Sequence, residues 1–529
     1  MKKSFLIFMI LVSTLVFAQD KFNRPDWENG EPEACTTLLI GKKATYDGST
    51  ITTHTDDSHR DWACMKMVPA KNHPTGSMLT LVTREKDDSH PMPRYKFVPI
   101  GKIPQVEHTY GYINTNYPSM NEHQLAIGEA TFGGREELYS DKGLIDCYQL
   151  CHLIMQRCKT AREAIDLTEE LLAKYGWRDY GECLTIADPN ECWYIEIVGP
   201  GKDKVGATWV AVRIPDGHAT MNANASRIRK IDLDKPEQFR ASENVFSTAI
   251  ENGWWNTEDG EFEFCYAYAS RSSFSARRRE WRVLSMLAPS LELSPNAENF
   301  PFSVKPDTLV TKELLVKIYQ DYYEDTPFDM TKNLLVKGKD GKYIKSPVAN
   351  PFMHYDMNKM LRINGGWDEL GERTIARWYT MYGTITQSRS WLPNEVGGVV
   401  WLAWDNVATS IYVPIYNSVT DVPESYKVPG RKTGYTRTSA WWGFNRLSTI
   451  AAHRWGEMRH DVGDVWNKWQ AEMFLNQSDV ENKAAHLLKQ NKEKAVEFLT
   501  DYTNKWGTKV YKKAWELGDF LWTKYDEKF

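Results

Sequence analysis

The chain has 529 residues, 42% of them hydrophobic, which is enough to bury a large core and leaves room for two to four domains. Aromatic residues make up 13%, with 21 Trp, and this excludes a disordered chain. The formal net charge is -5 and no basic face is evident, so nucleic acid is not an expected partner.

At the N-terminus, Lys2 and Lys3 precede an apolar run from Phe5 to Phe17. Val16-Phe17-Ala18 then offers small residues at the two positions that a signal peptidase inspects. The run is shorter than the roughly 20 residues that a membrane-spanning helix needs. Residues 1–18 are therefore expected to be a removed signal peptide, and the protein to be exported to the periplasm or beyond. No later stretch is long and apolar enough to span a membrane, so no stable membrane insertion is expected. Residues 19–34 are polar, contain Pro25, Gly30 and Pro32, and read as an extended pro-segment.

The character changes at Cys35. Thr36 to Ile40 is a β-branched and apolar run, Asp47-Gly48 is a turn signal, and Ser49 to Thr53 reads as a second strand. Residues 60–135 are strand-rich. Leu144 to Cys158 has helical periodicity, and Thr160-Ala161-Arg162-Glu163 is a capping box that starts a helix ending near Gly176. Cys183 to Val198 reads as a hairpin. Trp209 to Ile214 and His218 to Ala223 read as another, joined by Pro215-Asp216-Gly217. Residues 241–290 are expected to be helical. Strands are expected at Thr374 to Thr386 and Gly397 to Tyr416, and almost continuous helix from Ala440, with a capping box at Ser478-Asp479-Val480-Glu481. Hairpin blocks interleaved with helical pairs imply an α+β fold of antiparallel sheets covered by helices.

Eight cysteines are present, and setting Cys35 aside leaves an odd number, so a complete set of internal disulfides is excluded. Cys147, Cys151 and Cys158 lie at helical spacing and read as core. In the hairpin register Cys192 faces Ala187, not Cys183, which argues against a bridge there. No CxxC or His-rich spacing indicates a metal, and Gly199-Pro200-Gly201-Lys202 lacks P-loop spacing. No metal or cofactor is expected.

A thiolate is a nucleophile, and a free cysteine has a pKa of about 8.5, so an active one needs a base or cation beside it. Two sources are open. One is a His and Asn elsewhere in the chain, of which there are enough. The other is the α-amine of Cys35 itself, with an ordinary pKa of about 7.7–8.0. An internal Cys35 has only an amide nitrogen, which is not basic. The second mechanism therefore requires cleavage of Ala34–Cys35, and the uncut chain would be inactive.

The run from Cys35 through Leu38-Leu39-Ile40-Gly41 to Asp47-Gly48-Ser49-Thr50-Ile51 resembles the start of the mature dipeptidases of peptidase family C69. These are cysteine N-terminal nucleophile hydrolases, relatives of the secernins and more distantly of bile salt hydrolases and penicillin V acylase. Similar segments follow in order. They are Asn121-Glu122 with Leu125-Ala126-Ile127-Gly128-Glu129; Leu184 to Asp188 with Trp193 and Glu196; Trp209 to Gly217; Asn224-Ala225-Ser226-Arg227-Ile228; Arg373-Thr374; Leu392-Pro393; Gly397 to Trp401; and Tyr412-Val413-Pro414. The likeness spans roughly residues 35–470.

The resemblance implies a four-layer αββα sandwich, self-processing and hydrolysis of dipeptides without a cofactor. Together with the reading of the N-terminus and of the helices after Ala440, it divides the chain into a signal peptide (1–18), a pro-segment (19–34), a catalytic domain (35–440) and a helical C-terminal extension (441–529), whose role is open between capping the sandwich and forming a homo-oligomer interface. It makes Cys35 the nucleophile and, through its amine, the base. Asp57, with Asp56 as alternative, would orient that amine. Asn224, with Asn222 as alternative, would supply an oxyanion-hole amide. Thr131 stands where the acylases have an asparagine whose backbone serves the oxyanion. One departure is His54-Thr55, where relatives commonly carry Arg-Asn. Positive charge at the thiol would then come from His54 or from the helix bearing Arg278, Arg279 and Arg282, of which Arg282 is the expected catalytic residue. Competing readings on the same residues are an amidase for N-acyl amino acids or bile-salt-type amides, and a non-catalytic binding protein.

Overall fold

The computed structural model describes residues 34–87, 89, 94–269, 273–352, 372–432 and 434–528. The expected signal peptide, and the expected pro-segment up to residue 33, lie outside the described residues.

In chain order the strands that matter here are β1 (Ala34–Ile40), β2 (Ile51–Asp57), β3 (Lys66–Val68), β4 (Met78–Asp87), β5 (Arg94–Pro104), β6 (Tyr112–Asn114), β7 (Pro118–Asn121), β8 (Ala126–Phe132), β9 (Gly181–Ala187), β10 (Cys192–Val198), β11 (Thr208–Ile214), β12 (Ala219–Asn222), β13 (Phe239–Ala241), β14 (Thr380–Gln387), β15 (Val399–Trp404) and β16 (Val413–Tyr416). The principal helices are α1 (Cys147–Arg157), α2 (Ala161–Tyr175), α3 (Phe274–Leu287), α4 (Lys312–Tyr319), α5 (Ala440–His453), α6 (Trp455–Gln490) and α7 (Lys492–Lys524). A six-stranded sheet has the order β12-β1-β2-β14-β15-β16, and an eight-stranded sheet the order β13-β11-β10-β9-β8-β7-β6-β3. All pairings within both are antiparallel, as the interleaved hairpins imply.

β1 and β2 lie directly on β8 and β9. Gly128 makes this approach possible, because a Cβ there would stand 2.4 Å from the Thr53 carbonyl oxygen and 2.7 Å from Thr37 Oγ1. The contact is polar, and its hydroxyls satisfy one another: Thr185 Oγ1 lies 2.7 Å from both Thr37 Oγ1 and Thr52 Oγ1. Apolar side chains fill the outer faces instead. On the eight-stranded sheet, Leu184, Ile186, Ile195 and Ile197 pack with Leu150 and Ile154 of α1 and Ile165 and Leu172 of α2. On the six-stranded sheet, Leu38, Met221, Val400 and Leu402 share a core with Val283 of α3, Ile318 of α4, Trp441 of α5, Met473 of α6 and Val510 of α7.

Local signals placed several elements well. Thr160 caps α2 by accepting from Glu163 N at 3.2 Å, a contact worth about 1 kcal/mol, and Gly176 ends it with φ 73°. α1 starts at Cys147, three residues later than its periodicity implies, because Asp146 caps it by accepting from Gln149 N at 2.8 Å. In the β9–β10 register Cys192 pairs with Ala187 and Cys183 with Glu196, and all eight cysteines are free.

Other expectations need correction. Trp209 to Ala223 is not a hairpin: β11 belongs to the eight-stranded sheet, whereas β12 pairs with β1 in the other. The Pro215-Asp216-Gly217 turn docks on the β1–β2 connection, with Lys43 N donating to Asp216 O at 2.8 Å and Gly41 N to His218 O at 2.9 Å. That docking delivers β12 to the free edge of β1. Among the described residues of 241–290 there is one long helix, α3, with only one-turn helices before it. Gly397 to Tyr416 is two strands, and β14 starts at Thr380. Ser478 starts no helix but lies inside α6, whose 36 residues run to a break at Asn491, and Asn491 caps α7 by accepting from Lys494 N at 2.8 Å.

Candidate active site

The β1–β2 register pairs Cys35 with Asp56 and Ala34 with Asp57. Opposed residues share a face and neighbours alternate, so Asp56 and His54 lie on the face of Cys35 and Asp57 on the other. On the first face β8 brings in Glu129. The Cys35 thiol donates to Glu129 Oε1 at 3.3 Å, and His54 Nε2 lies 3.0 Å from the same oxygen. A carboxylate only accepts, so Nε2 carries the proton of that bond. The His54 ring is held edge-on by Tyr117 and Tyr382, and its Nδ1 faces the Tyr382 hydroxyl at 3.4 Å. Cys35, His54 and Glu129 are 8%, 4% and 3% exposed, so water screens these interactions little.

Burial pushes the Cys35 thiol well up from its ordinary pKa, and Glu129, Asp56, Asp57 and Glu182 add to the rise. Burial also pushes Glu129 up, but the hydrogen bond and charge of His54, then the thiol and Arg84, outweigh it and hold this carboxyl below its usual range. The resting pair is thus a neutral thiol beside a carboxylate. The ligand-type atoms of Cys35, His54 and Glu129 lie within 4.8 Å of one another. Two hydrogen bonds to one oxygen account for that closeness without an ion.

The backbone of Cys35 is gripped from the other side. Its amide N donates to Asn224 Oδ1 at 3.1 Å, and its carbonyl oxygen accepts from Arg279 Nη1 at 2.8 Å. Arg279 also donates to Thr36 Oγ1, Ala223 O and Asn224 Oδ1, at 3.1, 3.0 and 3.0 Å. Burial and then the neighbouring Arg373 pull its guanidinium down to about 9, which leaves it charged at neutral pH. Asn224 sits in the left-handed region at φ 63°. Its Nδ2 donates to Thr131 O at 2.7 Å.

The loop carrying Asn224 is fixed by Arg227. That side chain donates to Glu280 of α3 at 3.1 Å, to Thr220 Oγ1 at 2.9 Å, to Pro301 O at 2.7 Å and to Met221 O. The backbone N of Arg227 and the Ser226 hydroxyl both donate to Glu196, each at 2.5 Å.

Cys35, His54, Asp56, Thr131 and Asn224 are therefore gathered at one corner. Three expected residues are engaged differently. Asp57, the expected partner of the Cys35 nitrogen, accepts from Arg373 and, at 2.5 Å, from Thr380 Oγ1. Arg282 turns away to Asp321, at 3.0 and 2.5 Å, and the arginine of α3 that reaches Cys35 is Arg279, one helical step earlier. Asn222 is used up in shaping its turn: its Oδ1 accepts from Asn224 N at 2.7 Å, and its Nδ2 donates to Tyr194 Oη and Ala225 O at 2.6 and 2.8 Å. Thr131 does face the corner through its carbonyl, while its hydroxyl donates to Glu182 at 2.9 Å. Sequence reasoning gave no role to Glu129. The available signal was a carboxylate inside the apolar run Leu125-Ala126-Ile127-Gly128, a position where charge is rarely buried without a partner.

Known proteins resemble this chain over most of its length. A protein named "Probable dipeptidase" from Latilactobacillus sakei is 24% identical over 496 residues, covering 88% of this chain and 93% of its own length. A "Probable dipeptidase B" from Lactococcus lactis subsp. lactis is 24% identical over 498 residues, covering 93% and 95%. One of the same name from Streptococcus pyogenes serotype M1 is 22% identical over 437 residues, covering 79% of each. A family profile described as "Peptidase family C69" matches residues 34–468, and the chain belongs to that family.

Proposed function

We propose that this protein is an exported cysteine dipeptidase whose nucleophile, Cys35, becomes the N-terminal residue when the Ala34–Cys35 bond is cut. The observation that carries the reading is the buried environment of Cys35. Its thiol, amide nitrogen and carbonyl oxygen are each held by a different polar side chain: Glu129, Asn224 and Arg279. The family match beginning at residue 34 and the relatives named as probable dipeptidases support the same reading. Two stacked sheets with helices outside both fit the four-layer αββα arrangement of N-terminal nucleophile hydrolases. Export rests on the basic and apolar segments at the N-terminus; among the described residues no helix is long and apolar enough to cross a membrane.

In the cut enzyme the new α-amine takes the thiol proton, and the thiolate attacks the scissile carbonyl. The amine hydrogen passes to the leaving nitrogen, and water then resolves the thioester. Thr131 O occupies one hydrogen of the Asn224 side-chain amide, and the second is available to an oxyanion. The carbonyl of Cys35 stays clamped by Arg279, which fixes the nucleophile during both steps.

The test combines intact mass with a substrate panel. Purified protein should begin at Cys35 and hydrolyse dipeptides in preference to N-acyl amino acids. A protein that keeps residues 19–34, or one that cleaves only N-acyl substrates, defeats the reading.

A further inference from the structure

The mature mechanism uses an amine that the uncut chain lacks, so the cut that creates this amine needs another proton acceptor. We propose that Glu129, positioned by His54, takes the Cys35 thiol proton in the cleavage of Ala34–Cys35, an assignment that rests on the processing reading above.

Three observations support it. Glu129 Oε1 is the atom to which the thiol donates, at 3.3 Å. Its second oxygen, Oε2, is buried and has no hydrogen-bond partner among the described residues, so the carboxylate keeps spare lone pairs for a proton. The nitrogen of Cys35 is meanwhile an amide whose hydrogen is donated to Asn224 Oδ1, at 3.1 Å, and it cannot serve as base. His54 does not substitute, because its Nε2 is spent on the same Oε1 and its Nδ1 faces Tyr382. It is a positioning residue that sets where the carboxylate points.

The step balances. The thiol proton passes to Glu129 as Sγ bonds to the carbonyl carbon of Ala34, through a five-membered ring. The C–N bond then breaks, and the nitrogen takes the proton back from Glu129, leaving a thioester from Ala34 to Sγ and a free α-amine on Cys35. Water hydrolyses the thioester, releasing a segment that ends in the Ala34 carboxylate and restoring the thiol. A resting thiol held protonated beside a carboxylate held ionised makes the transfer uphill. That suits a bond broken once per chain and not a turnover reaction.

The experiment uses the full chain and follows leader loss by intact mass. It compares the parent with Glu129→Gln, Glu129→Asp and His54→Gln, each checked for an unchanged melting temperature. In parallel, full chains whose residues 31–34 are exchanged for the recognition sequence of a site-specific protease are cut in trans just before Cys35 and assayed on a dipeptide. Processing should slow by about 10²–10⁴-fold in Glu129→Gln, the usual worth of a general base. Glu129→Asp, which withdraws the carboxylate, should also be slow, and His54→Gln intermediate. Dipeptide turnover of the trans-cut Glu129→Gln enzyme should fall by a clearly smaller factor. Processing of Glu129→Gln at the parent's rate overturns the assignment alone. An equal loss in processing and in trans-cut turnover overturns it as well, by making Glu129 a general support of the site. A parent chain that never sheds its leader overturns the processing reading and this assignment together.

Discussion

Two buried charged corners meet near Asn224, and they are built on opposite plans. At Arg227, Nε, Nη1 and Nη2 all have acceptors, and Glu196 accepts from Ser226, Arg227, Ile228 and Tyr194. At Cys35, carboxylates crowd a neutral thiol, and one oxygen of Glu129 has no donor among the described residues. Burying charge is tolerated only where it is paired and hydrogen-bonded. The corner whose hydrogen bonds are complete therefore reads as scaffold, and the one that keeps a spare carboxylate oxygen beside a thiol reads as chemistry. If that is right, the two corners should fail differently: one in stability, the other in rate.

The largest effect should come from Cys35, the proposed nucleophile. Cys35→Ala should lower dipeptide hydrolysis by about 10⁴–10⁶-fold, as when the nucleophile of a comparable hydrolase is removed, with the melting temperature held or raised. Measuring turnover and thermal unfolding on the same preparation tests this, and retained turnover would collapse the contrast. The opposite pattern is expected of Arg227→Met. It breaks the buried ion pair between Arg227 and Glu280 and should cost about 3–5 kcal/mol of stability by chemical unfolding. Asn224 lies between the corners, since it touches Cys35 and sits on the loop that Arg227 fixes. If it is the proposed oxyanion donor, Asn224→Ala should reduce kcat by about 10²–10³-fold, with a smaller loss of stability. A change confined to stability would move Asn224 to the scaffold side.

The scaffold was far more legible in the sequence than the corner. The β1–β2 hairpin follows from β-branched runs and Asp47-Gly48, and α2 from its Thr160 cap, because such signals are local. The choice between Asp56 and Asp57 needed the register, which depends on how a long connection closes. Arg279 and Arg282 are three residues apart on one helix, so spacing could not say which would reach Cys35. β12 leaves its sequence neighbour β11 for β1, a non-local choice made by where the Pro215-Asp216-Gly217 turn docks. Glu129 was in view as one residue of a strand, and only the stacking of two sheets over Gly128 shows what it touches.

The smallest expected effect concerns the aromatic wall behind the reactive corner. Tyr117, whose ring meets His54, also meets Tyr148, and Tyr148 packs on His152 of α1. The Tyr112 hydroxyl lies 3.0 Å from His152 Nδ1. Burial, with the charge of Arg84, outweighs a backbone hydrogen bond at Asn116 and pulls this imidazole down to about 4. In an unfolded chain the group titrates near 6.5, so between about pH 6.5 and 4 the unfolded state binds more protons than the folded one. Stability from His152 is therefore fully present above about pH 6.5 and is lost as pH falls, by up to about 3 kcal/mol. Urea unfolding measured from pH 7 to 4.5 should show this slope in the parent and a shallower one in His152→Gln. Equal slopes would mean that the wall tolerates a charge, and the imbalance that marks the reactive corner would then stop at His54 and Glu129.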